Sequence, residues 1–377
     1  MQSRGAAKGH RPVGPSVGIR STRTARFNKI GSTMKRTFLA LAALTAFIGS
    51  ASAQSTVTIF GVLDAAATSV KNGSAGSRKT LSSGQSNTSR LGFRGVEDLG
   101  GGLRAGFWLE GQVDVDTGGT TFDWQRRATV SLMGKFGEIR VGREQNPTYL
   151  DWGARDLWGY VGVATTSNLR GNFLGQGGAT TGVRTSNSIA YWTPPMGGLY
   201  GHFMVGAGEG GTGNKYIGGR LGYKVGKLDL SGSTGKTYKT GAMLDDLSTM
   251  SFGGSYDFGI FELEAGYEKA KYTRLDRQLL TVGVRVPIGS GRLKAQYTQA
   301  SGTGNVATPK QFDATLLSLG YEYRMSKRTL LYANYGNIDN GGTTVTGATY
   351  TATNNGPAGI RRGETSSGYQ FGLRHNF

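Results

Sequence analysis

From residue 56 onward the chain alternates apolar and polar positions with period two, the pattern of strands whose two faces meet different surroundings. The last segment is the clearest: Tyr369, Phe371, Leu373 and Phe377 share one face, while Gln370, Gly372, Arg374 and Asn376 share the other. Short turn signals recur at 99–102, 134–137, 194–197, 225–227, 257–259, 287–290 and 325–327. Between them lie longer polar stretches rich in Gly, Thr, Asn and Ser, centred near 71–87, 116–122, 147–183, 207–215, 232–248, 270–277, 300–311 and 338–366. Seven tight turns and eight long loops are fifteen connections, which predicts sixteen strands. Short turns on one rim and long loops on the other fit an all-β, sixteen-stranded antiparallel transmembrane β-barrel with periplasmic turns and extracellular loops. Lipid leaves no open sheet edge satisfied, so the barrel must close, and closure at this strand number leaves an aqueous lumen.

The N-terminal residues read differently. Lys35 and Arg36 precede an apolar run from Phe38 to Ile48, and Ala51-Ser52-Ala53 follows as a small-residue cleavage site. That order is a secretory signal over 34–53, with a run too short to span a bilayer, and places the barrel at 54–377. Residues 1–33 are basic, polar and without apolar periodicity, so they read as disordered. Met34 stands directly before the basic pair, which predicts that translation starts there and that 1–33 is not made.

Composition narrows the class. Sixty-four glycines, eight prolines and no cysteine exclude a disulfide scaffold and thiolate metal sites. The formal charge of +19 falls once the leader is set aside, because residues 1–53 hold nine of the 43 Lys and Arg and none of the 24 acids. The remaining 34 bases against 24 acids leave +10. In an exported chain that balance points to anionic lipids or solutes rather than nucleic acid. Strand aromatics such as Tyr191, Trp192, Tyr223, Tyr267, Tyr297, Tyr332, Tyr335 and Tyr369 suit girdles at the membrane interfaces.

Two nucleotide-like motifs fail. Gly206 to Gly211 satisfies G-x-G-x-x-G, but a glycine-rich loop and a strand follow where a helix is required. Gly232 to Thr237 resembles the end of a P-loop, yet the first required glycine falls on Leu230. His202 and His375 have no catalytic or metal-binding motif around them, so no cofactor, metal or reaction is expected.

Several segments resemble the Gram-negative general porins, most closely their β-proteobacterial branch. The stretch Thr56 to Ala65 is similar to the family's first strand, and Ser89 to Leu103 to its second strand and first turn. Asn187 to Tyr191, Ser326 to Tyr332 and Gly372 to Phe377 resemble it as well, so the likeness covers essentially all of 54–377. It implies a homotrimer among membrane lipids and lipopolysaccharide, a third loop folded into the lumen, and passive diffusion of small anions and hydrophilic solutes. It also implies that terminal Phe377 is read by the barrel assembly machinery.

In such a channel the chemistry is a charged constriction. With Leu91 and Phe93 outside, Arg90 and Arg94 point inward. Period two does not settle the face of Arg126. The resemblance places lumenal arginines at Arg126 and Arg184, so Arg90, Arg126 and Arg184 form the expected basic wall, with Arg143 a fourth candidate. The opposing acidic side is expected from Asp151 and Asp156 in the third loop, with Glu144 just before it and Asp64 on the first strand. The loop also carries Arg155 and Arg170, and it lacks the Pro-Glu-Phe-Gly-Gly motif of enterobacterial members. Few loop acids and a basic chain predict anion preference. A substrate-selective channel, an adhesin or structural barrel using the 338–366 loop, and more distantly an outer-membrane enzyme are the alternatives.

Overall fold

The computed structural model describes residues 56–119, 122–302, 313–341, 349–353 and 356–377. The expectations for the signal segment and for residues 1–33 lie outside these. Seventeen strands follow in order: β1 Thr56–Asn72, β2 Ser77–Ser83, β3 Arg90–Gly100, β4 Leu103–Gln112, β5 Arg127–Gly134, β6 Gly137–Gln145, β7 Arg184–Trp192, β8 Leu199–Gly206 and β9 Tyr216–Val225. Then come β10 Leu228–Thr237, β11 Leu247–Asp257, β12 Glu262–Tyr272, β13 Leu275–Ile288, β14 Gly291–Ser301, β15 Ala314–Arg324, β16 Thr329–Asp339 and β17 Thr365–Asn376.

Every neighbouring pair is antiparallel, and β1 pairs with β17, so no edge is left open. β2 and β3 are two halves of one track. β2 pairs with Ala65–Lys71 of β1, and β3 pairs with Thr56–Val62 of the same strand. The excursion between them is fastened by Asp64, whose carboxylate accepts the Ser86 and Asn87 amides (both 2.6 Å) and the Tyr332 hydroxyl (2.5 Å). The barrel therefore has sixteen tracks, as the turn and loop count requires.

All seven tight turns fall between strands as expected. Three loop expectations are corrected, and in one of them residues 232–237 of the expected 232–248 loop are the end of β10. Residues 71–87 contain β2, and 270–277 is only the two-residue link Thr273-Arg274 between paired Tyr272 and Leu275. At these positions the strands rise past the apolar band, so their outward residues turn polar and lose the alternation that marks a strand.

The alternation sorts side chains as lipid and water demand. On β14, Leu293 and Tyr297 face out and are 44% and 49% exposed, while Lys294, Gln296 and Thr298 face in. Tyr369, Phe371, Leu373 and Phe377 all lie outward. Two expected girdle residues are corrected: Tyr332 is buried against Asp64, and Trp192 stacks inside on His202 with centroids 3.9 Å apart. Phe377 closes the seam, its amide and carbonyl bonding the carbonyl and amide of Gly61 at 3.1 and 3.0 Å.

Residues 146–183 fold inward and lie on the inner wall. Helix α1, Pro147–Gly153, is capped by Asn146, whose side chain accepts the Tyr149 amide, and helix α2 is Ser167–Leu174. Trp152 and Leu169 pack with Leu279, Leu316, Ile338 and Tyr350 of the wall and last loop. The wall makes room by a lane of glycines on β11–β13 and β15–β17, with Gln296 of β14 between them. Gly253 and Gly266 face Arg155, Gly283 faces Leu157, Gly320 faces Trp158, and Gly336 and Gly368 face Val163. A methyl group on these strands would meet the loop, which explains how an extended segment lies flush on a sheet.

Candidate pore constriction

The infolded loop is bound to β9–β13 by paired charges, and to β14–β17 by hydrogen bonds. Arg155 donates to Glu264 on β12 at 2.5 Å. Arg170 and Arg277 both donate to Glu268, at 2.7 and 2.6 Å. Asp151 accepts from Arg220 at 3.0 Å and from Ser251 at 2.5 Å, and Ser231 also donates to it. Asp156 accepts the amides of Trp158 and Tyr160 and the hydroxyl of Thr165.

These placements correct the expected acidic side. Asp151, Asp156 and Asp64 are 0%, 3% and 1% exposed, so all three are structural fasteners rather than groups presented to lumen water. A carboxylate shut inside a wall needs donors on every side, and these have them. Burial raises the Asp156 carboxyl, against the pull of Thr165 and the two amides. Burial lowers the Arg170 guanidinium, but Glu268 and Tyr160 outweigh it and hold the charge in place.

With the loop against β9–β17, the open lumen lies along the β3–β7 wall. A cavity of about 690 Å3 between loop and wall is lined by Arg126, Arg143, Arg170 and Arg184, and by Tyr149 and Tyr160, with no carboxylate among its described lining residues. The two tyrosine rings stack at 4.2 Å, and Arg170 lies over Tyr160. Burial raises the Tyr149 phenol, while Arg184 and Arg126 draw it down. A smaller adjoining cavity of about 260 Å3 shares Arg126, Arg143 and Arg184 and adds Asp114 and Asp123 at its edge.

Arg126 precedes β5, where Thr129 faces in and Val130 faces out at 65% exposure. On the strand its parity would send it to lipid. Lying before the strand, it bends inward, and its Nε donates to Glu110 at 2.7 Å. Arg90 reaches the same carboxylate at 3.6 Å and donates to Asn87 and Thr88. Arg143 sits in a bulge between Gly142 and Glu144 and donates to the Gln125 carbonyl and the Ser186 hydroxyl, both at 2.6 Å. Arg184 donates to the Arg126 carbonyl at 2.6 Å. The structure thus gathers Arg126, Arg143 and Arg184 on one cavity and joins Arg90 to them through Glu110. Sequence reasoning missed Glu110, although it shares a polar face with Trp108 and Gln112 opposite Phe107 and Leu109.

A closed barrel of sixteen tracks, narrowed by an infolded loop and lined by charge, defines a membrane diffusion channel. The chain belongs to the Gram-negative porin family, whose model matches residues 40–343. It is an outer-membrane porin. It is 37% identical to outer membrane porin protein 32 of Delftia acidovorans over 361 residues, 91% of this chain and 100% of that one. An outer membrane porin of Bordetella pertussis is 28% identical, covering 80% of this chain and 93% of its own. Among solved structures, the anion-selective porin from Comamonas acidovorans matches with TM-score 0.76 and 35% identity, over 86% of this chain and 100% of that one.

Proposed function

We propose that this porin passes small hydrophilic solutes by diffusion with a preference for anions, and that Arg90, Arg126, Arg143 and Arg184 form the basic wall that sets it. The observation that carries this reading is the cavity at the constriction, lined by Arg126, Arg143 and Arg184 of the wall and Arg170 of the loop, with no carboxylate among its described lining residues; Arg90 joins them through Glu110. The relative described as anion-selective supports it. Guanidinium groups stay charged across accessible pH, so the preference should hold from acid to neutral solution. Membership of the family supports a homotrimer, and the seam position of Phe377 supports its reading by the assembly machinery.

Reversal potentials in a planar bilayer under a salt gradient test the reading. The native channel should give an anion-selective sign and close in threes. Neutralising Arg90, Arg126 and Arg184 to glutamine should reduce selectivity severalfold. The native preference should shrink between 0.1 M and 1 M salt, as the screening length falls from about 10 Å to about 3 Å. A cation-selective native channel would reject the charge assignment. Saturating flux of one solute would favour a substrate-selective channel.

A further inference from the structure

The inner wall on the short-turn side of the constriction carries a group that the basic wall does not include. Arg94 follows Arg90 by four positions on β3, about 13 Å further along the strand toward the turn at 99–102. It keeps the inward parity of Arg90, and its side chain is exposed. Two aromatic rings hold it: the guanidinium carbon lies 5.4 Å from the centroid of Phe60 and 5.2 Å from that of Trp108. Trp108 stands opposite Arg94 on β4, whereas Phe60 of β1 stands opposite Gly92. Gly92 has no side chain, so the Phe60 ring lies across β3, where a β-carbon on Gly92 would collide with it. The ring reaches Trp108 on the far side, with centroids 4.9 Å apart and planes at 62°.

The neighbouring guanidinium groups are paired with acids. Arg127 lies 4.4 Å from the Trp108 centroid and pairs with Glu144, and Arg140 pairs with Glu138 and Glu144. Arg90 and Arg126 share Glu110, which also accepts the Trp108 indole N–H at 3.3 Å. Arg94 has no carboxylate partner among the described residues. It is a positive charge in the lumen that no acid cancels, standing on an edge-to-face pair of rings.

We propose that Phe60, Arg94 and Trp108 form a second, weak anion station that retards aromatic carboxylates on their way through the pore. The carboxylate takes the parallel N–H groups that the planar guanidinium offers. The ring of the solute packs on Phe60 and Trp108, which are both partly exposed. Acetate uses the charge but not the rings. A saturated ring of the same size uses the apolar surface but lacks the edge-to-face contacts that aromatic planes add. Arg94 stands in water, so the bound anion leaves again and the channel keeps conducting. The inference rests on the anion-passing reading of the pore and adds a solute class to it.

Planar-bilayer recordings of reconstituted channels in potassium chloride at neutral pH test it, with benzoate, cyclohexanecarboxylate or acetate added on both sides. Benzoate should halve the chloride current at the lowest concentration, about threefold below cyclohexanecarboxylate, and acetate should need the most. Arg94→Gln should raise the half-blocking concentration of benzoate about tenfold or more, because the charge-assisted hydrogen bonds are lost. Phe60→Leu and Trp108→Leu should each bring benzoate close to cyclohexanecarboxylate while both stay ahead of acetate. A variant that opens channels has a folded barrel, so each shift is read from open channels. Native channels that do not distinguish benzoate from cyclohexanecarboxylate, or Arg94→Gln channels with native benzoate block, would overturn the station. The reversal potential in potassium chloride alone reports on the basic wall separately. An anion-selective sign alongside either of those results would remove the station and leave the wall standing.

Discussion

Replacing Glu268 with glutamine is expected to loosen the infolded loop and turn a quiet channel into a noisy one. Glu268 is fully buried on β12 and holds two guanidinium groups, Arg170 from α2 and Arg277 from β13. Arg277 also donates to the carbonyls of Leu169 and Arg170, at 3.1 and 2.7 Å, so one carboxylate organises the whole end of that helix. The amide keeps the shape but leaves two buried positive charges side by side without a counter-charge. Breaking a buried pair in this way costs about 3–5 kcal/mol. The loop keeps its other fastenings at Glu264 and Asp151, so the loss should be local and the barrel should still fold. Recordings should show rapid current fluctuation, and the thermal transition should fall. Replacing Arg170, Glu268 and Arg277 together by apolar residues of similar size should restore much of the stability. Wild-type noise and an unchanged transition in the single variant would contradict the anchoring role.

Gly336→Val should widen the pore. A β-carbon at Gly336 would fall inside contact distance of the Val163 carbonyl oxygen and 3.1 Å from the Ala164 α-carbon. Both are backbone atoms, so no side-chain rotation relieves the clash. The segment must lift, and with it go the bond from Ser318 to the Ala164 carbonyl (2.6 Å) and the bond from the Val163 amide to Gln370 (3.1 Å). Single-channel conductance should rise and liposome swelling should admit larger sugars, with Gly336→Ala intermediate. Ion preference should change little, because the arginines stand on the far wall. A folded variant of native conductance would mean that the wall, rather than the loop, gives way.

Most of the fold was legible in the sequence because two different solvents write it there. Lipid outside and water inside force period two wherever a strand crosses the membrane, and the seven tight turns follow where it stops. The errors at 71–87 and 270–277 share a cause. Above the membrane the outward face of a strand meets water instead of lipid, so the outward residues of Ser77–Ser83 and Lys269–Asp276 form no apolar row to announce them.

The site was harder to read. Arg90 follows parity, but Arg126 lies before its strand and Arg143 sits in a bulge, and parity ends at both irregularities. The acids failed for another reason. A count of carboxylates in the loop says nothing of where their donors are, and the donors of Asp151 come from Arg220, Ser231 and Ser251 on three strands far along the chain. Only the folded wall brings them together.

The lane of glycines and the arginine wall lie on opposite sides of the same lumen, and this has an evolutionary consequence. Substitutions along β11–β17 act on aperture through the seat of the loop, whereas substitutions around β3–β7 act on charge. A lineage facing a new chemical environment can therefore adjust which ions it admits without reopening the question of how large a molecule it excludes. The two traits can drift, be selected or be engineered on separate schedules, which a constriction built with both functions on one loop would not allow.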